Sequence, residues 1–188
     1  MELERAHVEA YAAVCGFPAK DVVPLTYPHL LAFGLHMALM TDAAFPAAAM
    51  GMVHLENSIT RHRAVAVGET LDVTASVGPA SPHPKGQTFD FVSTILAAGA
   101  PVWESTSTYL RRGKGDPGAS RRAQLPAVSP GSIEWRLPAD LGRRYAAVSG
   151  DYNPIHLLPL TARALGFRRQ IAHGMWTLAR SVAALENR

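Results

Sequence analysis

One stretch of this sequence limits the possible folds more than any other: a long helical segment that is apolar on nearly every side. It reads HLLAFGLHMALMTDAA and spans about residues 29–44. A helix of this kind is buried on most of its surface, so other elements must surround it. Further along, the apolar residues alternate instead, in four extended segments near residues 51–63, 69–77, 86–98 and 100–112. The pattern predicts an α+β fold in which an antiparallel sheet wraps around a central helix.

The remainder of the chain contains an initial helix, a linker and a second helix-rich part. Residues 3–15 show helical spacing of apolar side chains. Residues 113–131 hold three prolines and four glycines without any periodicity, which predicts a linker. After it we expect a short strand over 132–138 and, at the end, a long apolar helix from about His173 to Glu186.

This order predicts two repeats, 1–112 and 132–188, joined by the linker 113–131. Four strands follow the long helix of the first repeat, whereas the C-terminal strands are absent after the long helix of the second. We therefore expect the final helix to leave an apolar flank uncovered. That flank would consist of Met175, Leu178, Val182 and Leu185. Either the chain is a piece of a longer protein, or a second copy or another partner supplies the strands.

Composition argues against several classes of protein. The formal net charge is +3, and the arginine pairs are scattered without interleaved aromatic residues, so we expect no nucleic-acid partner. The only cysteine, Cys15, excludes an intrachain disulfide and fits a reducing compartment. The sequence contains no signal-peptide pattern and no apolar run of the roughly 18 residues that a membrane span needs. We therefore expect a cytoplasmic protein.

The turn SGDYNPIHLLP, residues 149–159, holds the residues best suited to chemistry. Pro154 fixes its own φ and pushes Asn153 toward an extended conformation, while Gly150 permits a sharp bend. On such a stiff turn, Asp151 and His156 can face one small volume and polarise a shared water. The same residues also suit a purely structural turn, because Asp and Asn bond nearby backbone groups.

A second motif, IAHGM, places Gly174 at the start of the last helix. A helix N-terminus offers unpaired N–H groups and a partial positive charge. Glycine lets a substrate carbonyl approach this backbone closely, as an oxyanion hole for a thioester enolate requires. His173 either lines the site or serves a structural role.

Together these motifs, in residues 145–179, resemble the hydratase motif of the MaoC-like dehydratases, also called (R)-specific enoyl-CoA hydratases, which have the hot dog fold. The positions in register are Ser149, Gly150, Asp151, Asn153, Pro154, His156, Gly166, Phe167, His173 and Gly174. The rest of the chain is similar to the first half of double hot dog members, which include mycobacterial 3-hydroxyacyl-thioester dehydratases. In those members one repeat lacks the motif and mainly shapes the acyl tunnel.

The resemblance implies a hydratase that adds water to a trans-2-enoyl thioester to give an (R)-3-hydroxyacyl thioester, or catalyses the reverse reaction, in fatty acid metabolism. Asp151 and His156 would activate the water, and the Gly174 N–H would receive the thioester oxygen. Which of the pair is the base stays open. The substrate would be carried by coenzyme A or acyl carrier protein, and neither a metal nor a cofactor is implied. Supporting or substrate-binding positions would be Ser149, Asn153, His173 and Met175.

One departure from the family pattern affects the turn itself. The family often has aspartate two residues after the catalytic histidine, and Leu158 stands at that position here, which weakens the capping of the next helix. Two other functions remain open. In the first, the chain is a non-catalytic subunit that binds acyl thioesters and needs a partner. In the second, it is a hot dog thioesterase.

Histidines outside the motif are assigned mainly to the core. His29 and His36 lie on the apolar helix, where hydrogen-bonded core histidines are the better interpretation than metal ligands. By analogy with the family, His54, Asn57 and His62 lie on a strand that borders the ligand channel.

Overall fold

The computed structural model describes residues 1–119 and 134–186. In this part of the chain there are six helices and five strands. The helices are α1 (Arg5–Cys15), α2 (Pro28–Thr41), α3 (Leu141–Ser149), α4 (Pro154–Leu157), α5 (Pro159–Ala164) and α6 (Gly174–Glu186). The strands are β1 (Met52–Arg61), β2 (Leu71–Val77), β3 (Ser81–His83), β4 (Gly86–Ala97) and β5 (Ala100–Arg112). The predicted helices and the four long strands are confirmed, and β3 is an additional short strand.

All strand pairs are antiparallel, in the order β1-β5-β4-β2, with β3 paired to β4. The hairpin between β4 and β5 turns at Gly99, whose φ of 78° is in the left-handed region that glycine adopts without strain. In β1 the register shifts between His54 and Glu56, so that the strand carries a bulge there. The bulge lies beside the functional site described below.

Helix α2 lies against the sheet and contacts β2 and β4. Its buried residues form one stripe at a spacing of about four: Pro28, His29, Ala32, His36 and Met40. Leu35 and Met37 remain more than a third exposed, so the prediction of burial on most sides is wrong for this helix. The sheet covers one side of α2, whereas Met37 lines a cavity on another side and Leu35 is exposed outside that cavity.

The part beyond the linker packs on α1. Trp176 of α6 donates a hydrogen bond from Nε1 to the Val14 carbonyl of α1 over 3.0 Å. The flank predicted to be bare is largely covered: Met175 is buried, and Leu178 and Val182 are half-buried against the main core. Only Leu185 of that set is exposed, with 65% of its surface accessible.

Two further sequence-based predictions concern the segment between the repeats. Residues 134–138 form no strand, so this part of the predicted strand 132–138 is wrong. Of the predicted linker 113–131, residues 113–119 form bends and turns, and 120–131 lie outside the described residues. Within the described ranges, none of the helices has both the length and the hydropathy that crossing a bilayer requires.

Candidate active site

The turn after α3 is held by a chain of short-range hydrogen bonds. Gly150 ends the helix with φ 73°, and the Asp151 N–H donates to Ser149 Oγ over 3.2 Å. The Asn153 N–H then donates to Asp151 Oδ1 over 3.1 Å, and the Ile155 N–H to Asn153 Oδ1 over 3.3 Å. Asn153 is extended, with ψ 122°, and Pro154 opens α4, as the sequence predicts. Asp151 therefore helps to form the turn through one carboxylate oxygen, Oδ1, and the other is not used in it.

Asp151 and His156 lie on the same side of this turn, with His173 beside them. Asp151 Oδ2 is 3.8 Å from His173 Nε2, and the ligating atoms of all three side chains lie within 4.8 Å of one another. A water that bridges two polar groups spans roughly 5 Å. The carboxylate and the imidazole are therefore close enough to hold one water between them.

The tautomer of His156 is set by the backbone opposite it. Its Nδ1 lies 2.9 Å from the Ile171 carbonyl, which can only accept, so Nδ1 carries the proton. Nε2 of the neutral ring is then an acceptor. Burial lowers the pKa of His156 below its ordinary value, although the Ile171 carbonyl and Asp151 oppose this effect. The side chain is thus an uncharged base at neutral pH.

His173 positions the other two residues. Its Nε2 donates to the Asp151 carbonyl oxygen over 2.9 Å, and its ring stacks on His156 with centroids 3.8 Å apart. Burial and the neighbouring His156 lower the pKa of His173 to about 4, so it is neutral at pH 7. The stacked ring limits the movement of His156, while the hydrogen bond fixes the backbone of Asp151.

These side chains face a cavity of about 660 Å³, a size typical of ligand pockets. All seven residues singled out in the sequence line this cavity. They are Ser149, Asp151, Asn153, His156, His173, Gly174 and Met175. Gly174 begins α6, as predicted, and no atom lies within 4 Å of the position that a Cβ would occupy there. The first turn of this helix is therefore open to a ligand in the cavity.

A metal ion is a second candidate occupant, because Asp151, His156 and His173 offer ligand atoms at suitable distances. Both histidines already use one ring nitrogen for a backbone hydrogen bond. Their stacked rings direct the remaining nitrogen lone pairs in nearly parallel planes, whereas a metal needs ligands that converge on one point. The geometry favours Asp151 and His156 as a pair that binds water. That the site works without a metal stays a prediction.

Three residues of the site were missed by the sequence analysis. Ile171 supplies the carbonyl that orients His156, and its N–H donates to the Ile155 carbonyl over 3.1 Å. Tyr145 packs its ring against His173, with centroids 4.8 Å apart. Gly142 lies directly under the turn, where a Cβ would overlap the carbonyl oxygen of His156. Of these three residues, only Gly142 could have been noticed in the sequence, as a glycine at the start of α3 that lies nine residues before Asp151.

Gly142→Ala should therefore push the turn away from α3. We expect it to lower the free energy of unfolding by about 1–3 kcal/mol, as overpacking usually does, and to reduce activity further by displacing His156. Urea unfolding and the enoyl-CoA assay measure the two effects. Gly34→Ala is the matched control, because Gly34 is also helical and has no atom within 4 Å of the added Cβ. Equal behaviour of the two variants would contradict this role for Gly142.

The departure at Leu158 has the expected local effect. Leu158 is the N-cap residue of α5 and makes no side-chain capping bond, whereas Thr161 Oγ1 donates to the Leu158 carbonyl over 3.0 Å. Helix α5 is thus stabilised by Thr161 in its own first turn instead of by the side chain of its N-cap residue. The turn that holds Asp151 and His156 is unaffected because none of its hydrogen bonds involves the Leu158 side chain.

Comparison with known proteins is consistent with this geometry. The MaoC like domain family matches residues 122–188. The 3-hydroxyacyl-thioester dehydratase X of Mycobacterium tuberculosis (strain ATCC 25618 / H37Rv) is 38% identical over 194 residues, covering 100% of this chain and 68% of the relative. The fatty acid synthase beta subunit pigK of Monascus ruber is 38% identical over 95 residues, covering 48% of this chain and 4% of that protein.

A crystal structure of HtdX from Mycobacterium tuberculosis superposes with a TM-score of 0.86 at 37% identity, covering 100% of this chain and 74% of the other. This similarity agrees with the antiparallel sheet and the packed helix α2, so the α+β hot dog fold is confirmed. The chain belongs to the family of MaoC-like dehydratases.

Proposed function

We propose that this protein is a hydro-lyase of fatty acid metabolism, which interconverts trans-2-enoyl thioesters and (R)-3-hydroxyacyl thioesters. One observation carries the proposal. A carboxylate oxygen and an uncharged imidazole lie within the span of one water, in a cavity that also contains the first turn of α6. The sequence relatives support the same reaction, since one of them is named a 3-hydroxyacyl-thioester dehydratase.

In the hydration direction, the water lies between Asp151 Oδ2 and His156 Nε2. Asp151 orients it, and His156 accepts its proton as the oxygen bonds to C3 of the enoyl group. Because Nδ1 is already protonated and bonded to the Ile171 carbonyl, the ring becomes an imidazolium stabilised by the nearby carboxylate. The same proton is then delivered to C2, so the imidazole returns to its neutral form and no net proton is lost.

The thioester oxygen gains negative charge while the C3–O bond forms. In our proposal it accepts a hydrogen bond from the Gly174 N–H, at the positive end of the α6 dipole. The open space beside Gly174 allows this approach. The acyl chain then extends along the apolar part of the cavity wall, which α2 provides through Leu30, Phe33, Met37 and Met40.

We also propose the two-repeat organisation, with residues 1–112 shaping the acyl site and 132–188 carrying the reacting groups. The exposed Leu185 near the end of α6 supports a partner chain or second copy at that position. A cytoplasmic location is part of the same proposal, supported by the single, buried Cys15 thiol. Burial raises the pKa of this thiol to about 12, so it is unreactive.

The proposal is tested by the loss of enoyl-thioester absorbance with crotonyl-CoA and a longer trans-2-enoyl-CoA. We expect turnover that EDTA leaves unchanged and an (R)-configured product. Loss of activity on chelation would indicate the metal site instead, and release of free thiol would indicate a thioesterase. Binding without turnover, restored by a second chain, would indicate the non-catalytic subunit.

A further inference from the structure

Six polar side chains of α2, β1 and β5 each bury a polar atom in the interior of the protein. We call this set the polar layer, and it consists of His29, His36, His54, Asn57, Ser105 and Tyr109. Tyr109 also belongs to the apolar cluster around Met40, Phe89 and Phe91, and the His36 ring contacts Phe91 with centroids 5.1 Å apart. Such a layer is unusual, because a protein core normally pairs every polar group that it buries.

Each member of the polar layer has one buried polar atom without a hydrogen-bond partner. These atoms are His29 Nδ1, His36 Nδ1, His54 Nε2, Asn57 Oδ1, Ser105 Oγ and Tyr109 Oη. The described residues contain one other such side-chain atom, Nδ1 of His173, which directly precedes α6. Unpaired polar atoms are costly in a folded protein, so their concentration at one place indicates a site for a polar ligand group.

Three members of the layer reach the cavity. His29, His54 and Tyr109 line the same cavity as Asp151 and His156. Their rings form a stack, with centroids 5.7 Å apart between His29 and His54 and 4.4 Å apart between His54 and Tyr109. The β1 bulge contributes to this arrangement, since it follows His54 where that residue pairs with Tyr109. Of the three strand residues predicted to border the channel, only His54 lines this cavity. Asn57 instead donates to Ser107 Oγ over 2.8 Å, and His62 is exposed and bonded to Glu104.

The interpretation of His29 and His36 as fully hydrogen-bonded core residues needs correction. His36 Nε2 lies 2.7 Å from Ser93 Oγ, but Nδ1 is unpaired, as is His29 Nδ1. The Tyr109 hydroxyl likewise makes no hydrogen bond of good geometry, although an interaction with Ser107 opposes the rise in its pKa that burial causes.

The charge state of the layer limits what it can bind. Burial lowers the pKa of His36 and of His54 to about 4, and that of His29 well below its ordinary value. All three imidazoles are therefore uncharged at pH 7, so they do not attract an anion. An uncharged imidazole and a phenol each both donate and accept, which suits a hydroxyl or a carbonyl oxygen.

We propose that the polar layer binds an uncharged oxygen substituent on the acyl chain, so that oxygenated acyl thioesters are preferred over plain alkyl ones. The hydrogen bonds would come from His29, His54 and Tyr109, on the wall that the acyl chain follows. The inference deepens the proposed function and depends on it, because it takes the cavity to hold an acyl thioester.

Direct binding tests the preference without requiring turnover. Decanoyl-CoA and hydroxydecanoyl-CoA isomers with the hydroxyl on successive carbons from C5 onward are titrated into the full chain by calorimetry. We expect at least one isomer to bind about tenfold more tightly than decanoyl-CoA. Equal affinity for all of them would overturn this inference alone. Failure to bind any thioester would overturn the proposed function as well.

Tyr109→Phe and His54→Phe identify the groups responsible, because each keeps a ring in the stack. We expect either variant to lower the ratio of the two affinities about tenfold. Tyr109→Phe should also leave the ligand-free melting temperature equal or higher, since it removes an unpaired hydroxyl. Tyr11→Phe is the control: it removes a buried hydroxyl that bonds Thr26 over 2.8 Å, so stability falls and the affinity ratio holds. An unchanged ratio in both layer variants would overturn the assignment.

Discussion

Asp151→Asn and His156→Ala should each reduce the rate of crotonyl-CoA hydration by about a hundred- to ten-thousandfold, the range that a positioned acid or base contributes. The amide at residue 151 keeps an oxygen for the Asn153 N–H, so the turn should persist while the charge is lost. His156→Ala removes the imidazole that would accept the proton, which a hydrogen bond to the Ile171 carbonyl holds in place. Steady-state kinetics with unchanged circular dichroism would separate lost chemistry from lost structure.

His173→Phe provides an informative comparison with these two variants. Phenylalanine retains the ring that stacks on His156 but removes the hydrogen bond to the Asp151 carbonyl. We expect an intermediate loss, because His173 positions the pair and does not exchange the proton. Normal turnover by Asp151→Asn or His156→Ala would exclude the proposed pair, whatever the result at His173.

Acid should destabilise this protein steeply, between pH 7 and 5, well above the ordinary titration range of carboxyl groups. Folding lowers the pKa of His36, His54 and His173 to about 4, from about 6.5 in the unfolded chain. Below pH 6.5 the unfolded chain therefore binds more protons than the folded one, and stability falls as the pH falls. Each histidine should contribute about 1–2 kcal/mol to the loss between pH 7 and 5.

Urea unfolding at a series of pH values measures this dependence directly. His54→Phe should make the free energy of unfolding depend less on pH, because it removes one of the buried imidazoles that folding keeps uncharged. A free energy of unfolding that stays constant from pH 7 to 5 would show that these histidines titrate normally. It would also contradict the uncharged state assigned to the polar layer.

The catalytic turn was predictable because its hydrogen bonds are local. Ser149, Asp151 and Asn153 each accept from the backbone two residues later, a pattern that depends on residue type and spacing alone. The left-handed conformation of Gly150 follows equally from the residue itself. The strands and most helix limits were predictable for the same reason, because the spacing of apolar residues that determines them lies within each segment.

Features that depend on packing between distant segments were not predictable in this way. The bond from His156 to the Ile171 carbonyl joins α4 to the segment before α6, and the need for Gly142 arises only when α3 meets the turn. The prediction that α2 is buried on most sides was wrong because apolar side chains that face a cavity cannot be distinguished from core residues in a sequence. The polar layer combines side chains from α2, β1 and β5, so no single segment reveals it.

A crystal structure with bound decanoyl-CoA, which lacks the double bond and cannot react, would test the central claim most directly. We expect the thioester oxygen within about 3.2 Å of the Gly174 nitrogen. We also expect one water bonded to both Asp151 Oδ2 and His156 Nε2, beside C3 of the acyl chain. A thioester bound away from the start of α6, or a carboxylate and imidazole that share no water, would contradict it.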